Sequence, residues 1–232
     1  MTAAVHHDPD ALPVQALLYD LDGTLIDSMR LHDLTWAQWH ARHGLPFDLE
    51  RFFAATAGRS GPEIVAELFP GRDSAGIAAL CDEKEALYRD IARQELQPIA
   101  GAPALLKAGR AAGLRQAICT AGPTPNVEVA YQRFGFDADI GAMVNPDQGF
   151  RGKPHPDLFL EAARRLGVAP AQCVVFEDAP LGIEAARRAG MRAVAVCSSL
   201  PAAAFTAFPN LITAVPDLAG FDLDVLGARR PA

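Results

Sequence analysis

The sequence predicts an α/β protein whose parallel β-sheet is interrupted by a helical insert. A short apolar run, Ala16–Tyr19, has the composition of a strand that is covered on both faces. The pattern is then helical from Met29 to about Glu95, without a convincing strand. After residue 97, strand-like and helix-like segments alternate, which is typical of a parallel sheet with helices on both faces.

Three helices are predicted within the insert. The first contains LHDLTWAQWHARHG, in which apolar residues recur three and four positions apart, and Gly44 ends it. The other two helices cover Gly61–Phe69 and Ser74–Leu96. Residues 29–96 are therefore predicted to form a domain of their own.

The later elements alternate between helix and strand up to Pro201, after which the signals are weak. In chain order they are a helix over 102–113, a strand over 114–122, a helix over 125–135, a helix over 156–167, a strand over 172–179, a helix over 181–190 and a strand over 191–197. Residues 14–28 and 97–224 are predicted to form one discontinuous core domain. The crossings at 26–29 and 97–101 are expected to act as hinges for the insert.

The composition excludes several classes of protein. Of the 232 residues, 50% are apolar and 21% are charged, which does not suit a disordered or fibrous chain. The net charge of −7 argues against nucleic acid or an anionic membrane as a partner. Without an apolar run of ~18–20 residues or a secretory signal, a cytoplasmic protein is expected. A small α/β protein of this kind is expected to be a monomer or a homodimer. The widely spaced cysteines favour reduced thiols over disulfides.

Polar residues follow the predicted central strands. They are Asp20 and Asp22 after the first strand, Thr120 after the next, and Glu177 and Asp178 after CVVF. Lys153 lies in the loop GFRGKPHPD, ahead of a helix. Because ligands bind at the carboxyl ends of parallel strands, these side chains are expected to converge on one edge of the sheet.

This set of side chains suits Mg²⁺ and a phosphoryl group. Mg²⁺ prefers oxygen ligands, usually a few carboxylates together with waters and substrate phosphate. Asp20, ionised beside the metal, can attack phosphorus and form an aspartyl-phosphate. Asp22 can protonate the leaving oxygen and later deprotonate a water molecule. Thr120 and Lys153 can stabilise the charge that spreads over the phosphoryl oxygens.

Each motif also has a purely structural interpretation. Asp-Gly is a common turn dipeptide, and a threonine after a strand is often a helix cap. A Glu-Asp pair can begin the next helix, whose dipole favours negative charge, and KPHPD can be a rigid loop. The catalytic interpretation is favoured because all four motifs occur in order, each at the end of the expected element.

Four segments resemble, in order, the four motifs of the haloacid dehalogenase superfamily: DLDGTLIDS, CTAG, KPHPDLF and VVFEDAPLGIEAARRAGM. The resemblance covers residues 14 to about 196. The position of the insert resembles the subgroup with a four-helix cap, which contains β-phosphoglucomutase-like mutases and sugar-phosphate phosphatases. The resemblance implies a Rossmann-like core, Asp20 as nucleophile and Asp22 as general acid and base. It also implies a Mg²⁺ site formed by the Asp20 carboxylate and the Asp22 backbone carbonyl, which Asp178, with Glu177 beside it, completes.

The resemblance further implies that the cap selects the substrate. His32 matches the H-x-x-x-W pattern of related mutases and sugar phosphatases, although it can equally be a solvated helix residue. The loop AGRSGPE resembles the cap loop that meets the substrate. Gly58 and Arg59 in this loop, and Thr120 and Ala121 in the core, are therefore predicted to bind substrate.

The leading hypothesis is a Mg²⁺-dependent phosphatase of a small phosphorylated metabolite, a sugar or polyol phosphate. The alternative is a β-phosphoglucomutase-like mutase, but its cap loop has a lysine and an arginine where this chain has Ala57 and Gly61. A dehalogenase is disfavoured because Asp22 is present. A phosphonate hydrolase with a Schiff-base lysine is disfavoured because Lys84, the insert's only lysine, is expected to lie far from the first cap helix and from the loop AGRSGPE. A non-catalytic binding module is disfavoured because the catalytic set is complete.

Overall fold

A computed structural model describes residues 12–56 and 61–227 of the protein. The chain forms two compact units. One unit contains the chain up to Asp27 and from Gln97 onward, and the other contains Ser28–Leu96. Within the described ranges, no helix is long and apolar enough to cross a membrane.

The first unit combines strands and helices, whereas the second is helical. The strands are β1 (Ala16–Tyr19), β2 (Ile26–Asp27), β3 (Gln97–Pro98), β4 (Arg115–Cys119), β5 (Ala142–Val144), β6 (Cys173–Glu177), β7 (Arg192–Val196) and β8 (Leu211–Val215). The α-helices are α1 (Met29–Arg42), α2 (Leu49–Thr56), α3 (Gly61–Leu68), α4 (Ser74–Glu95), α5 (Ala102–Ala111), α6 (Thr124–Phe134), α7 (Asp157–Leu166) and α8 (Pro180–Arg188).

The main sheet has six parallel strands in the order β5-β4-β1-β6-β7-β8. β1 lies between β4 and β6, with Tyr19 level with Ile118 on one side and with Phe176 on the other. The strand order changes direction at β1, and such a switch point is where open α/β sheets bind ligands. The predicted fold class, a parallel α/β sheet with a helical insert, is confirmed.

Complete burial explains why the central strands are continuous apolar runs. All four residues of β1 and all five residues of β6 are buried. A strand that is covered on both faces has no solvent-facing position, so polar residues do not alternate along it. The hydroxyl of Tyr19 is satisfied because it donates to Gln116 Oε1 at 2.8 Å. Gln116 Nε2 in turn donates to the carbonyl oxygen of Leu106 at 2.9 Å.

The helical unit has a small core of its own. Trp39 of α1, Val65 of α3 and Leu87 of α4 pack together there. The three predicted helices are confirmed, with ends that coincide with the prediction or differ from it by one or two residues. The eight-residue helix α2 has no individual prediction within the helical pattern of the insert.

Two strands of the main sheet lie in segments where the sequence predicts none. β5 has only three residues, and β8 follows Pro201, where the sequence signals are weak. Both are edge strands of the sheet. Edge strands pair on one side only and are often short, so their sequences carry less of the buried pattern that marks a central strand.

The two segments that connect the units are paired in the first unit. β2 and β3 run antiparallel, with Ile26 opposite Pro98 and Asp27 opposite Gln97. The sequence predicts hinges here, at 26–29 and 97–101, but not this pairing. The hinge motion itself stays a prediction.

Gly101 offers a test of the fold at the point where the chain returns to the core. Its φ is 83°, and a β-carbon there would lie 2.1 Å from the backbone carbonyl of Leu218. We expect Gly101→Ala to lower the free energy of unfolding by more than the ~1–2 kcal/mol that a left-handed backbone costs a non-glycine residue. Denaturant unfolding measures this loss.

Gly135→Ala is the matched control. Gly135 has a similar φ of 67°, but a β-carbon there meets nothing within 4 Å. Gly135→Ala should therefore lower the free energy of unfolding only by the cost of a left-handed backbone at a non-glycine residue. Equal destabilisation by the two substitutions would contradict the close approach at Gly101.

Candidate active site

The carboxyl edge of the sheet carries a polar residue beyond each of five neighbouring strands. In spatial order they are Asn145 after β5, Thr120 after β4, Asp20 after β1, Asp178 after β6 and Ser199 beyond β7. The predicted site residues Asp20, Thr120 and Asp178 therefore lie on adjacent strands at the switch point. Asn145 and Ser199 join them without having been predicted.

A buried ion-pair cluster around Lys153 lies at the centre of this edge. Lys153 Nζ donates to Asp20 Oδ1 and, at 2.8 Å, to Glu177 Oε1. The three side chains are only 8%, 9% and 2% exposed, in the order Lys153, Asp20, Glu177. Burial by itself lowers the pKa of Lys153, but attraction by the two carboxylates outweighs burial, and the pKa is raised overall.

Glu177 is held through both of its carboxylate oxygens. Oε1 accepts from Lys153, and Oε2 accepts from the backbone N–H groups of Asp178 at 2.8 Å and Ala179 at 3.3 Å. Gly182 provides the space, since a β-carbon there would lie 1.6 Å from Glu177 Oε1. Glu177 therefore orients Lys153 from β6 while Asp20 contacts it from β1.

Three carboxylates at this edge are close enough to hold one cation. Asp20, Glu177 and Asp178 can each offer an oxygen, and these oxygens lie within 4.8 Å of one another. Burial raises the pKa of Asp20 well above its usual range; Lys153 opposes that rise, and the neighbouring carboxylates add to it. Burial and the neighbouring Glu177 raise the pKa of Asp178 to about 7, although a 2.5 Å hydrogen bond from Ser199 Oγ to its Oδ2 lowers it.

These pKa shifts have a common meaning. The protein alone stabilises the ionised carboxylates poorly, first because they are buried and also because one ammonium group faces several carboxylates. A divalent cation would supply the missing positive charge. An all-oxygen donor set is the kind that Mg²⁺ prefers, so the residues present fit this ion.

The turn after β4 presents hydrogen-bond donors. The N–H of Gly122 donates to Thr120 Oγ1 at 2.9 Å. Because this hydroxyl oxygen already accepts a hydrogen bond, its own hydrogen can be donated to another group. The N–H of Ala121, an exposed residue, has no hydrogen-bond partner in the described part of the chain. Two such donors on consecutive residues suit an anion.

Asp22 faces this turn from the loop after β1. Its Oδ2 lies 3.3 Å from the position that a β-carbon on Gly122 would occupy. The loop turns at Gly23, where φ is 76° and a β-carbon would lie 2.2 Å from Asp178 Oδ2. The structural interpretation of the Asp-Gly motif as a turn therefore holds, and this turn brings Asp22 and Asp178 to the same edge.

In the helical unit, His32 is part of a packed polar cluster and is not a solvated helix residue. Its Nδ1 lies 2.8 Å from Lys84 Nζ, and its ring stacks on Tyr88 with centroids 4.1 Å apart. The Lys84 side chain is 4% exposed and also donates to Glu85 at 2.9 Å. The predicted cap residues Gly58 and Arg59 lie outside the described residues.

The expectation that Lys84 lies far from the first cap helix is wrong. Helix α4 packs against α1. This packing brings Lys84 within hydrogen-bond distance of His32, which lies 52 positions earlier in the chain. Separation along the chain does not report distance between two helices of one bundle. The Schiff-base alternative gains nothing from this correction, because the amino group of Lys84 is already held by two side chains.

The sequence contained a signal for only some of the residues that were missed. Ser199 comes just after a predicted strand, at the edge where ligands bind, and could have been included on the same grounds as Asp178. Asn145 follows a three-residue strand that the sequence does not predict. Lys84 could be linked to His32 only through the packing of α1 and α4.

The Lys84 cluster can be tested through stability. Lys84→Met keeps the length of the side chain but removes the donor that Glu85 and His32 share. We expect the free energy of unfolding to fall by about 1–3 kcal/mol, because two partly buried polar groups lose their partner. Lys107→Met is the control, since Lys107 is exposed on α5 and should change stability by less than ~0.5 kcal/mol. Two equally stable variants would contradict the pairing.

Known proteins resemble this chain over most of its length. A family model described as haloacid dehalogenase-like hydrolase matches residues 14–190. Hexitol phosphatase A of Escherichia coli is 35% identical over 182 residues, which cover 78% of this chain and 82% of that protein. Beta-phosphoglucomutase of Bacillus subtilis is 31% identical over 197 residues, which cover 81% of this chain and 85% of that protein.

A solved structure agrees with these matches. It is a HAD hydrolase of family IA, variant 3, from Entamoeba histolytica, with a TM-score of 0.86 and 26% sequence identity. The match covers 92% of this chain and 98% of that one. The predicted resemblance is thereby confirmed, and the chain belongs to the haloacid dehalogenase-like hydrolases.

Proposed function

We propose that this chain is a Mg²⁺-dependent phosphatase that hydrolyses a sugar or polyol phosphate through an aspartyl-phosphate on Asp20. Its class is that of a phosphoric monoester hydrolase of the haloacid dehalogenase superfamily, as predicted. One observation carries the proposal: Asp20 is paired with buried Lys153 at the switch point of the sheet. Asp20 follows β1, and the neighbouring strand β4 is followed by residues 120–124, here called the Thr120 turn.

Asp20 provides the nucleophilic carboxylate. Lys153 holds its Oδ1 and thereby restricts the orientation of the whole carboxylate. The same ammonium group, together with the donors of Thr120 and Ala121, stabilises the negative charge that spreads over the phosphoryl oxygens in the transition state.

Asp22 moves the protons of the reaction. It protonates the alcohol oxygen that leaves when Asp20 attacks phosphorus. It then accepts a proton from the water molecule that attacks phosphorus; the bond between Asp20 and phosphorus breaks, so that Asp20 is released as a carboxylate and Asp22 is again protonated. Its position against Gly122 supports this role, because it lies beside the turn that supplies the phosphate donors.

Mg²⁺ would be held by the carboxylates of Asp20 and Asp178 and the backbone carbonyl of Asp22, with Glu177 beside them. When bound, it would supply positive charge next to the phosphoryl oxygens. Ser199 supports this arrangement by holding Oδ2 of Asp178.

The Bacillus subtilis relative makes a phosphomutase the second candidate. A mutase must shield its aspartyl-phosphate from water until a sugar bisphosphate has reacted, and cap cations that bind the distal phosphate suit this need. Arg59 is the only cation in AGRSGPE, because Ala57 and Gly61 stand where the mutase has its lysine and arginine. Water should therefore reach the intermediate more easily here, which favours hydrolysis.

A screen of phosphorylated metabolites with Mg²⁺ tests the function. We expect phosphate release from sugar or polyol monophosphates and little interconversion of glucose 1-phosphate and glucose 6-phosphate. Asp20→Asn should abolish release because an amide is a far poorer nucleophile, and Asp22→Asn should slow it on the order of 10²–10⁴-fold. Efficient isomerisation, stimulated by catalytic glucose 1,6-bisphosphate without matching phosphate release, would overturn the assignment in favour of the mutase.

Metal removal tests the carboxylate cluster. We expect excess EDTA to stop turnover and Mg²⁺ to restore it. Ser199→Ala should raise the Mg²⁺ concentration needed for half-maximal activity, because Asp178 loses the hydrogen bond that holds its Oδ2. Thr206→Ala is the control, since the exposed Thr206 donates its hydroxyl to the carbonyl oxygen of Ala203, which is not part of the carboxylate cluster. Full turnover in EDTA would disprove the metal requirement.

A further inference from the structure

Asn145 is a buried side chain that contacts the Thr120 turn from the neighbouring strand. It follows β5 and is 0% exposed. Its Nδ2 donates to the carbonyl oxygen of Gly122 at 3.1 Å and to Thr124 Oγ1 at 3.0 Å. One amide group therefore bonds to the turn on both sides of Pro123.

Two other hydrogen bonds hold the ends of the same turn. The N–H of Thr120 donates to the carbonyl oxygen of Val144 at 3.1 Å, as a continuation of the sheet. The N–H of Thr124 donates to Asp147 Oδ2 at 2.7 Å. The turn is thus joined to the sheet at its start and to Asp147 at its end, with Asn145 holding the residues between.

Gly122 explains why this turn needs an additional contact. A β-carbon at this position would lie 3.2 Å from Thr120 Oγ1 and 3.3 Å from Asp22 Oδ2, so a larger residue would crowd both groups. Glycine avoids the crowding but has the most flexible backbone of all residues. The hydrogen bond from Asn145 to its carbonyl oxygen restricts that flexibility.

The orientation of the Asn145 amide follows from its partners. If the amide were turned over, Oδ1 would face the carbonyl oxygen of Gly122, and two acceptors repel each other. With Nδ2 facing Gly122, Oδ1 is buried without a hydrogen-bond partner in the described part of the chain. A buried unpaired oxygen destabilises the folded state, so the amide stabilises this turn at some cost to the fold.

We propose that Asn145 is a positioning residue for phosphoryl binding. By holding Gly122, it maintains the turn in which the Gly122 N–H bonds to Thr120 Oγ1, while the Thr120 hydroxyl hydrogen and the Ala121 N–H remain available to the phosphoryl oxygens. The inference rests on the proposed function, because it assigns these two donors to the phosphoryl group.

Asn210 provides a matched control within the same unit. Its Nδ2 also donates to two backbone carbonyl oxygens, of Ile183 at 3.3 Å and of Met191 at 3.1 Å. Its Oδ1 is likewise buried and unpaired among the described residues. Asn210 comes just before β8, the outer strand on the opposite side of the sheet from β5. It therefore lies at the amino-terminal end of its strand, whereas the site lies at the carboxyl ends. An unpaired Oδ1 is therefore not by itself a sign of function, and the two residues differ in the segment that they hold.

The test compares inorganic phosphate binding and kinetics in the wild type, Asn145→Ala and Asn210→Ala, all as the full chain with Mg²⁺. Calorimetry gives the Kd for phosphate, and the substrate found by the screen gives KM and kcat. We expect Asn145→Ala to weaken phosphate binding about tenfold and to raise KM, as when one hydrogen bond to a charged group is misplaced. Asn210→Ala should lower the melting temperature but leave the Kd within about twofold.

Thr124→Val keeps the inference falsifiable if Asn145→Ala fails to fold. It removes only the second acceptor of Asn145 and should weaken phosphate binding by a smaller factor. An unchanged Kd and KM in the folded Asn145 and Thr124 variants would overturn the inference. An equal loss of affinity in Asn210→Ala would also overturn it, because the effect would then be general loosening of the core.

The failure of the proposed function gives a different result. A wild type that binds phosphate but hydrolyses no monoester would overturn the proposed function, and the Kd comparison would still decide the role of Asn145. A wild type that binds no phosphate would overturn both. A wild type that releases phosphate, with a Kd unaffected by Asn145→Ala, would overturn the positioning role alone.

Discussion

The buried ion pairs of Lys153 are the constraint on which the rest of the site depends. An ammonium group that is taken out of water needs closely placed carboxylates, because desolvation of an unpaired charge is costly. Asp20 and Glu177 supply them from adjacent strands. These carboxylates can meet at one amino group because β1 and β6 are in register: Tyr19 is level with Phe176, and the next residues are Asp20 and Glu177.

The same crowding explains the glycines of the site and why its carboxylates fit a cation. A β-carbon at Gly23 would collide with Asp178, and one at Gly182 would collide with Glu177. Glycine at these two positions lets the backbone approach the carboxylates closely. In this cluster, the three carboxylates of Asp20, Glu177 and Asp178 outnumber the single ammonium group of Lys153. The pKa of Asp178, raised to about 7 by burial and by Glu177, reflects this excess of negative charge. Hydrolase chemistry on phosphate esters uses such a site, because a bound cation and a bound anion complement each other there.

The core of the molecule carries chemistry that phosphatases and mutases share. Hexitol phosphatase A and beta-phosphoglucomutase are 35% and 31% identical to this chain over similar shares of its length, so overall similarity separates the two activities poorly. In the proposed mechanism, the difference comes from how long the aspartyl-phosphate is shielded from water, which is a property of the residues that face the substrate. In the helical unit, the side chains of His32 and Lys84 are held by each other and by the ring of Tyr88.

The sequence by itself determined the central strands, most helices and the residues at the ends of β1, β4 and β6. A strand that is completely buried has a continuous apolar sequence, which is easy to recognise. The polar residue at the end of such a strand follows it directly in the chain, so it is found as soon as the strand is found. Tertiary structure alone decided the edge strand β5, and with it the place of Asn145 beside the Thr120 turn. It also decided the contact of Lys84 with His32, which are 52 residues apart. Periodicity reports only how each short segment is buried, whereas contacts between distant segments depend on which faces pack together.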